Sequence, residues 1–279
     1  MSQRITAPRI CQERQDSART SVVRRVMDVL ETFSGGRPRQ TLSEIARKAQ
    51  LPVPTVHRLL QEMESAGAIK KVDRSYEIGA QLWLIGVQNV AIGIVQQASL
   101  SLLTELARIT GGYAHLTGLI DDRAICLASV APGPGCRASV AMEGKPSMGS
   151  LPLVGSSPSL VATASGKVLL NSILRNQSGH PCARALRCLY LAAPEVRSMR
   201  VELAASAARR WATYHDVVSN TFSIAVPVTP PHLCSDIPPL ALGLSFDSRR
   251  QLSTYSAHLH QVAERLSHRL RQLVADVLS

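Results

Sequence analysis

Residues 41–79 constrain this chain more than any other stretch, because their punctuation allows one order of elements. Leu42, Ile45, Ala46, Ala49 and Leu51 make an apolar stripe at helical spacing, with Ser43 and Glu44 as start signals. Pro52 and Pro54 end that helix and restart the chain, since proline is tolerated only in a helix's first turn. In the helix expected over 55–63, Val56, Leu59, Leu60 and Met63 face inward. Thr55, His57, Arg58 and Gln61 are left for solvent or a partner. Gly67 closes this helix. Two short strands, 69–72 and 76–78, then flank a turn at Asp73-Arg74-Ser75. The order is helix, turn, helix and basic wing, and the second helix has the size that enters a DNA major groove.

Charge supports that direction. The net charge is +11, and residues 1–79 hold 14 Lys/Arg against 9 Asp/Glu, so the excess is denser at the front. A basic surface favours a polyanion, because each phosphate contact releases condensed counterions. Arg58, His57, Thr55 and Gln61 are the candidate base-reading side chains; Lys70, Lys71 and Arg74 on the wing suit phosphates. Arg47 and Lys48 end the first helix of the motif and are candidate backbone contacts. Residues 1–20 are polar and Arg-rich, with no apolar segment of a secretory signal, and read as a disordered basic arm.

Behind Ser21, an expected N-cap, Val22, Val26, Val29, Leu30 and Phe33 predict a first helix that Gly35-Gly36-Arg37-Pro38 closes. The winged module therefore spans 21–79. A long apolar helix is expected from 82 to 95, running on toward 109 within a linker at 80–110. Gln88, Asn89, Gln96 and Gln97 interrupt it before the roughly 20 apolar residues that a bilayer needs. Its burial against its own copy in a dimer fits a reader of two half-sites. Residues 111–279 mix strands (113–120, 124–130, 137–142, 222–228, 240–246) with helices (159–174, 196–212, 252–278) without regular alternation. A polar loop is expected at 176–184. The fold class is α+β.

Several chemistries are disfavoured. The six cysteines form no CxxC pair, which points away from zinc and toward reduced thiols in a cytoplasmic protein. His258, His260 and His268 lack paired-ligand spacing, so no metal and no cofactor is expected. Ser165-Gly166-Lys167 resembles the end of a phosphate loop, but Val161 and Val168 stand where such a loop needs Gly and Ser/Thr. Gly166 is instead expected to permit close packing. A hydrolase with Cys126 or Ser223 as nucleophile and His115 as base is a rival reading without a nucleophile elbow to support it. A constitutive DNA-binding dimer with a structural rear domain is another.

The run Leu42-Ser43-Glu44-Ile45-Ala46, then Leu51-Pro52 and Thr55-Val56-His57-Arg58-Leu59-Leu60, resembles the winged helix of IclR-type transcriptional regulators. Tyr76-Glu77-Ile78-Gly79 is similar to the end of that family's wing. Ala162-Thr163-Ala164-Ser165-Gly166-Lys167, Ile224-Ala225-Val226-Pro227-Val228 and Ala241-Leu242-Gly243-Leu244-Ser245 resemble its later motifs, in order. The resemblance covers about residues 21–279. It implies a winged helix-turn-helix, a linker helix and a GAF-like effector domain at 111–279. It also implies a homodimer or dimer of dimers, a double-stranded DNA operator and a small-molecule effector from catabolism, more often in a repressor. For the effector wall, Met142, Met148, Ala162, Thr163, Ser223 and Ser245 are the candidates. Val53-Pro54 replaces the family's frequent Lys-Ser, Ser223 a frequent Cys, and Tyr214-His215-Asp216-Val217 the usual acidic residues.

Overall fold

The computed structural model describes residues 21–34, 38–86, 88–121, 123–133, 154–175, 194–229, 237–246 and 252–278. The chain divides into two compact units, residues 1–88 and 89–279. The expected arm at 1–20, the strand at 137–142 and the loop at 176–184 lie outside the described residues.

In the first unit, helix α1 (Val22–Glu31) follows Ser21, whose side chain makes no capping bond. Strand β1 (Gln40–Thr41) leads into α2 (Leu42–Ala49), and α3 (Val53–Ser65) follows. Thr41, not Ser43, caps α2. Its hydroxyl accepts from Glu44 N–H, and its own N–H donates to the Glu44 carboxylate at 2.8 Å. This reciprocal box satisfies two otherwise orphaned donors. Pro52 precedes α3 and Pro54 sits in its first turn, so the helix starts two residues ahead of the predicted Thr55. After α3, Gly67 takes the left-handed conformation (φ 72°), which lets Ala68 N–H reach the Met63 carbonyl at 2.9 Å. Strands β2 (Ile69–Val72) and β3 (Ser75–Ile78) form the wing, and β1 adds to β3 as a third, unpredicted strand. Val29, Ile45, Val56, Leu59, Leu60 and Ile69 make the core.

The single helix expected over 82–95 is two helices, α4 (Ala80–Gly86) and α5 (Val90–Thr110). Asn89 is the reason: its side-chain oxygen accepts from Ile92 N–H at 3.1 Å and starts a new helix there. Gln96, expected to stop the apolar run, lies inside α5 and donates to the Leu127 carbonyl at 2.9 Å. At 21 residues α5 is long and apolar enough to cross a membrane. Its buried side (Val95, Ala98, Leu102, Leu103, Leu106, Ala107) nevertheless packs within its own chain. The expectation that a second copy provides the burial is corrected to that extent.

The second unit is built on a five-stranded antiparallel sheet in the order β5-β4-β8-β7-β6. The strands are β4 (Tyr113–Ile120), β5 (Arg123–Val130), β6 (Ala212–Asp216), β7 (Thr221–Val228) and β8 (Leu240–Phe246). Side chains alternate across a strand, so each strand offers one set to each face. Ala114, Leu116, Ile224, Val226, Leu242 and Leu244 enter the main core with α5 and α8 (Ser256–Leu278). The other face meets α6 (Ala164–Arg175) through Ala124, Ala225 and Ala241. Helix α7 (Pro194–Arg209) packs on α6. It ends short of the predicted 212, because Ala212 begins the edge strand β6, which the sequence reading missed.

Helix α6 begins five residues after the predicted Ser159. Ser159 accepts from Val161 and Ala162 N–H, and Thr163 Oγ1 donates to the Ser159 carbonyl at 2.7 Å. These local bonds hold 159–163 as a turn in competition with helix. The turn folds over Gly166, where a Cβ would lie 2.2 Å from the Ser159 carbonyl oxygen, so Gly166 serves close packing as expected.

Candidate functional sites

The first candidate surface is the outer side of α3. Burial of Val56, Leu59, Leu60 and Met63 leaves His57, Arg58 and Gln61 exposed, together with Val53. Thr55 is half-buried. Among the described residues no acid pairs with Arg58, so its guanidinium is available to an anion or a base edge. Arg47 and Lys48 are exposed in the last turn of α2. Lys48 Nζ lies 3.4 Å from the Thr32 carbonyl and so helps close α1. On the wing, Glu77 sits 3.8 Å from Lys70 and 3.0 Å from Arg39, which reduces the local positive charge. Lys71 lies 6.0 Å from the Tyr76 ring centroid, and Arg74 is exposed beside the left-handed Asp73.

The second candidate is a narrow cleft between the sheet and the start of α6. It gathers Ala162, Thr163, Ser223 and Ser245, four of the six residues chosen for an effector wall. Met142 and Met148 lie outside the described residues. The cleft also gathers His115, Thr117, Ser165, Tyr214 and Thr221. Strand alternation explains the set. His115 and Thr117 on β4, Thr221 and Ser223 on β7, and Ser245 on β8 stand between the core-facing residues of the same strands.

Within the cleft, His115 Nε2 and Ser165 Oγ are 3.0 Å apart and both groups are buried. Gly243 makes this pair possible, since a Cβ there would lie 2.3 Å from His115 Nε2 and 2.9 Å from Ser165 Oγ. Burial pushes the His115 imidazolium down to about 4, with the Tyr113 backbone only partly opposing it, so the ring is neutral near pH 7. Thr117 Oγ1 is fully buried without a hydrogen-bond partner, and His115 Nδ1 makes no bond of good geometry. Orphaned polar atoms are costly in a core and informative beside a cleft. At the start of α6, Thr163 Oγ1 accepts from Gly166 N–H at 3.0 Å.

Lys167 does not reach for a nucleotide phosphate. It is buried, bonded to the Glu202 carboxylate and the Thr213 carbonyl, with its ammonium 4.9 Å from the Tyr214 ring centroid. It thus ties α6 to α7 and holds one wall of the cleft. The hydrolase geometry is not assembled either. Burial pushes the Cys126 thiol up to about 12, and its sulfur points to the Ala128 carbonyl. His115 faces Ser165 rather than Ser223, and an imidazole that protonates only near 4 is a weak proton acceptor. The signal for His115 and Thr117 was present in the period-two pattern of β4. Their partner on α6 is 50 residues away and invisible to local reading.

Residues 22–73 match the IclR helix-turn-helix domain. The chain is similar in fold to an IclR homolog from Microbacterium hydrocarbonoxydans solved with 4-hydroxybenzoate. That match has 22% identity and a TM-score of 0.69, and covers 90% of this chain and 100% of that one. A putative IclR transcriptional regulator from Silicibacter sp. TM1040 matches with 24% identity and a TM-score of 0.66, over 90% and 96% of the two chains. The glycerol operon regulatory protein of Streptomyces coelicolor is 28% identical over 105 residues. That alignment spans 37% of this chain and 41% of that protein.

Proposed function

We infer that this chain is an IclR-type transcriptional regulator, a DNA-binding protein with a front helix-turn-helix and an α+β rear unit; the match of residues 22–73 to that family's helix-turn-helix domain and the likeness in fold support this reading. The exposed stripe His57, Arg58, Gln61 carries the reading. In it α3 reads base edges in the major groove, while Lys70, Lys71, Arg74 and Arg47 hold phosphates. The operator is occupied by a homodimer, with half-sites one or more helical turns apart. The exposed Trp83, Leu84 and Ile85 of α4 favour self-association. An occupied operator excludes polymerase, so the protein acts as a cytoplasmic repressor.

The cleft of His115, Thr117, Ser165, Ser223 and Ser245 is the effector site in this reading. The Microbacterium homolog is complexed with 4-hydroxybenzoate, which supports a small-molecule effector here. Such a ligand shifts operator affinity only by its different affinity for the DNA-competent and incompetent states. The test is fluorescence anisotropy on duplexes from upstream of the gene, at two salt concentrations and with competitor DNA. Specific binding should weaken steeply with salt, and Arg58→Ala should reduce it by about 1–3 kcal/mol. Operator affinity unchanged by Arg58→Ala would remove that residue from the interface.

A further inference from the structure

The first turn of α3 has a chemistry of its own. Pro52, Val53 and Pro54 are all exposed, Val53 at 46%. Positions 53, 57 and 61 recur every four residues, so Val53 lies in line with His57 and Gln61 on the outer side of the helix. This turn is poor in donors. Pro52 and Pro54 have no amide hydrogen, and Val56 N–H is bonded to the Pro52 carbonyl, which leaves only the Val53 and Thr55 N–H groups as main-chain donors. With two of its first amides removed by proline, this helix start is a poorer phosphate holder than one with a full set of free N–H groups. The outer stripe of α3 therefore has a hydrogen-bonding part, His57, Arg58 and Gln61, and an apolar tip.

In the major groove only one base feature is apolar, the C5-methyl of thymine. We propose that Val53 is a specificity determinant that packs on a thymine methyl at one edge of each half-site. The proposal rests on the reading of α3 as the groove-entering helix. It assigns the hydrogen-bonded base contacts to His57, Arg58 and Gln61, and methyl recognition to Val53 with the flanking prolines.

The test needs no effector. Full-length protein selects duplexes from a random pool, and the enriched operator is resynthesised with deoxyuridine replacing each thymine in turn, which deletes only the methyl. At one thymine per half-site the wild type should lose about three- to fivefold in affinity, the effect of removing one methyl from a dry contact. Val53→Ala should lose a similar factor on the thymine operator and be indifferent to uracil at that position. Val53→Ser should behave like Val53→Ala. Because Val53 is exposed, neither change touches the core, and unchanged thermal melting checks this. An enriched operator on which every uracil substitution is neutral overturns the inference alone. So does Val53→Ala that keeps the full uracil penalty. A pool that yields no enriched sequence overturns the DNA-reading role and this inference with it.

Discussion

Replacing Gly243 by alanine should be among the most damaging small changes in the rear unit. The added Cβ lies 2.3 Å from His115 Nε2 and 2.9 Å from Ser165 Oγ, both below any tolerable contact. Neither neighbour is the free end of a flexible chain. His115 stands on interior strand β4, and Ser165 on the first turn of α6. Overpacking costs about 1–3 kcal/mol, and losing the buried His115–Ser165 bond adds about 0.5–1.5 kcal/mol. A total of roughly 2–4 kcal/mol should lower the melting temperature of a unit this size by about 5–15 °C. Calorimetry on the full chain reads this directly. The contact makes a sharper claim through a double variant, because His115→Ala removes the ring that the new methyl strikes. Gly243→Ala and His115→Ala combined should be less destabilising than their sum by more than about 1 kcal/mol. Additive costs, or a Gly243→Ala protein that melts like the wild type, would refute the close approach.

Thr117→Val replaces a buried, unpartnered hydroxyl by a methyl and should raise stability by about 1–2 kcal/mol in urea melts; a loss would mean that the hydroxyl has a partner. His115 is held down to about 4 from its ordinary 6.5, so between those values the unfolded chain carries the extra proton. Stability should therefore rise with pH across that window and be lost as pH falls toward 4. His115→Gln should flatten the slope by up to about 1.4 kcal/mol per pH unit, and identical slopes would contradict a neutral imidazole.

The helix-turn-helix was legible because each of its parts is local. Proline punctuation, a 3.6-residue stripe and a left-handed glycine act within a few residues. Strands β4, β5, β7 and β8 were legible for the same reason, as apolar runs with clear breaks. Helix starts were less so. Thr41 captured the role expected of Ser43, and Asn89 divided a helix that hydropathy joined, since a capping oxygen outweighs a continuous apolar pattern. Strand β6 was missed because Thr213, Tyr214, His215 and Asp216 carry little apolar signal on an edge. In the cleft, Ser223 and Ser245 were found through the motifs around them. His115 and Ser165 become a pair only when β4 and α6 meet across β8, a relation that no window of sequence contains.

The sheet of the rear unit writes two messages on alternate letters of the same strands. Residues 114, 116, 224, 226, 242 and 244 hold the domain together, and residues 115, 117, 221, 223 and 245 line the cleft. The two sets can therefore diverge separately. A lineage, or a designer, can rewrite the cleft letters to change the cleft's chemistry while leaving the core letters untouched. The same arrangement makes the strands intolerant of insertion. One extra residue within β7 would exchange the alphabets, sending serine and threonine into the core and leucine-like side chains into the cleft. Change by substitution is open to this fold, and change by length within its strands is closed.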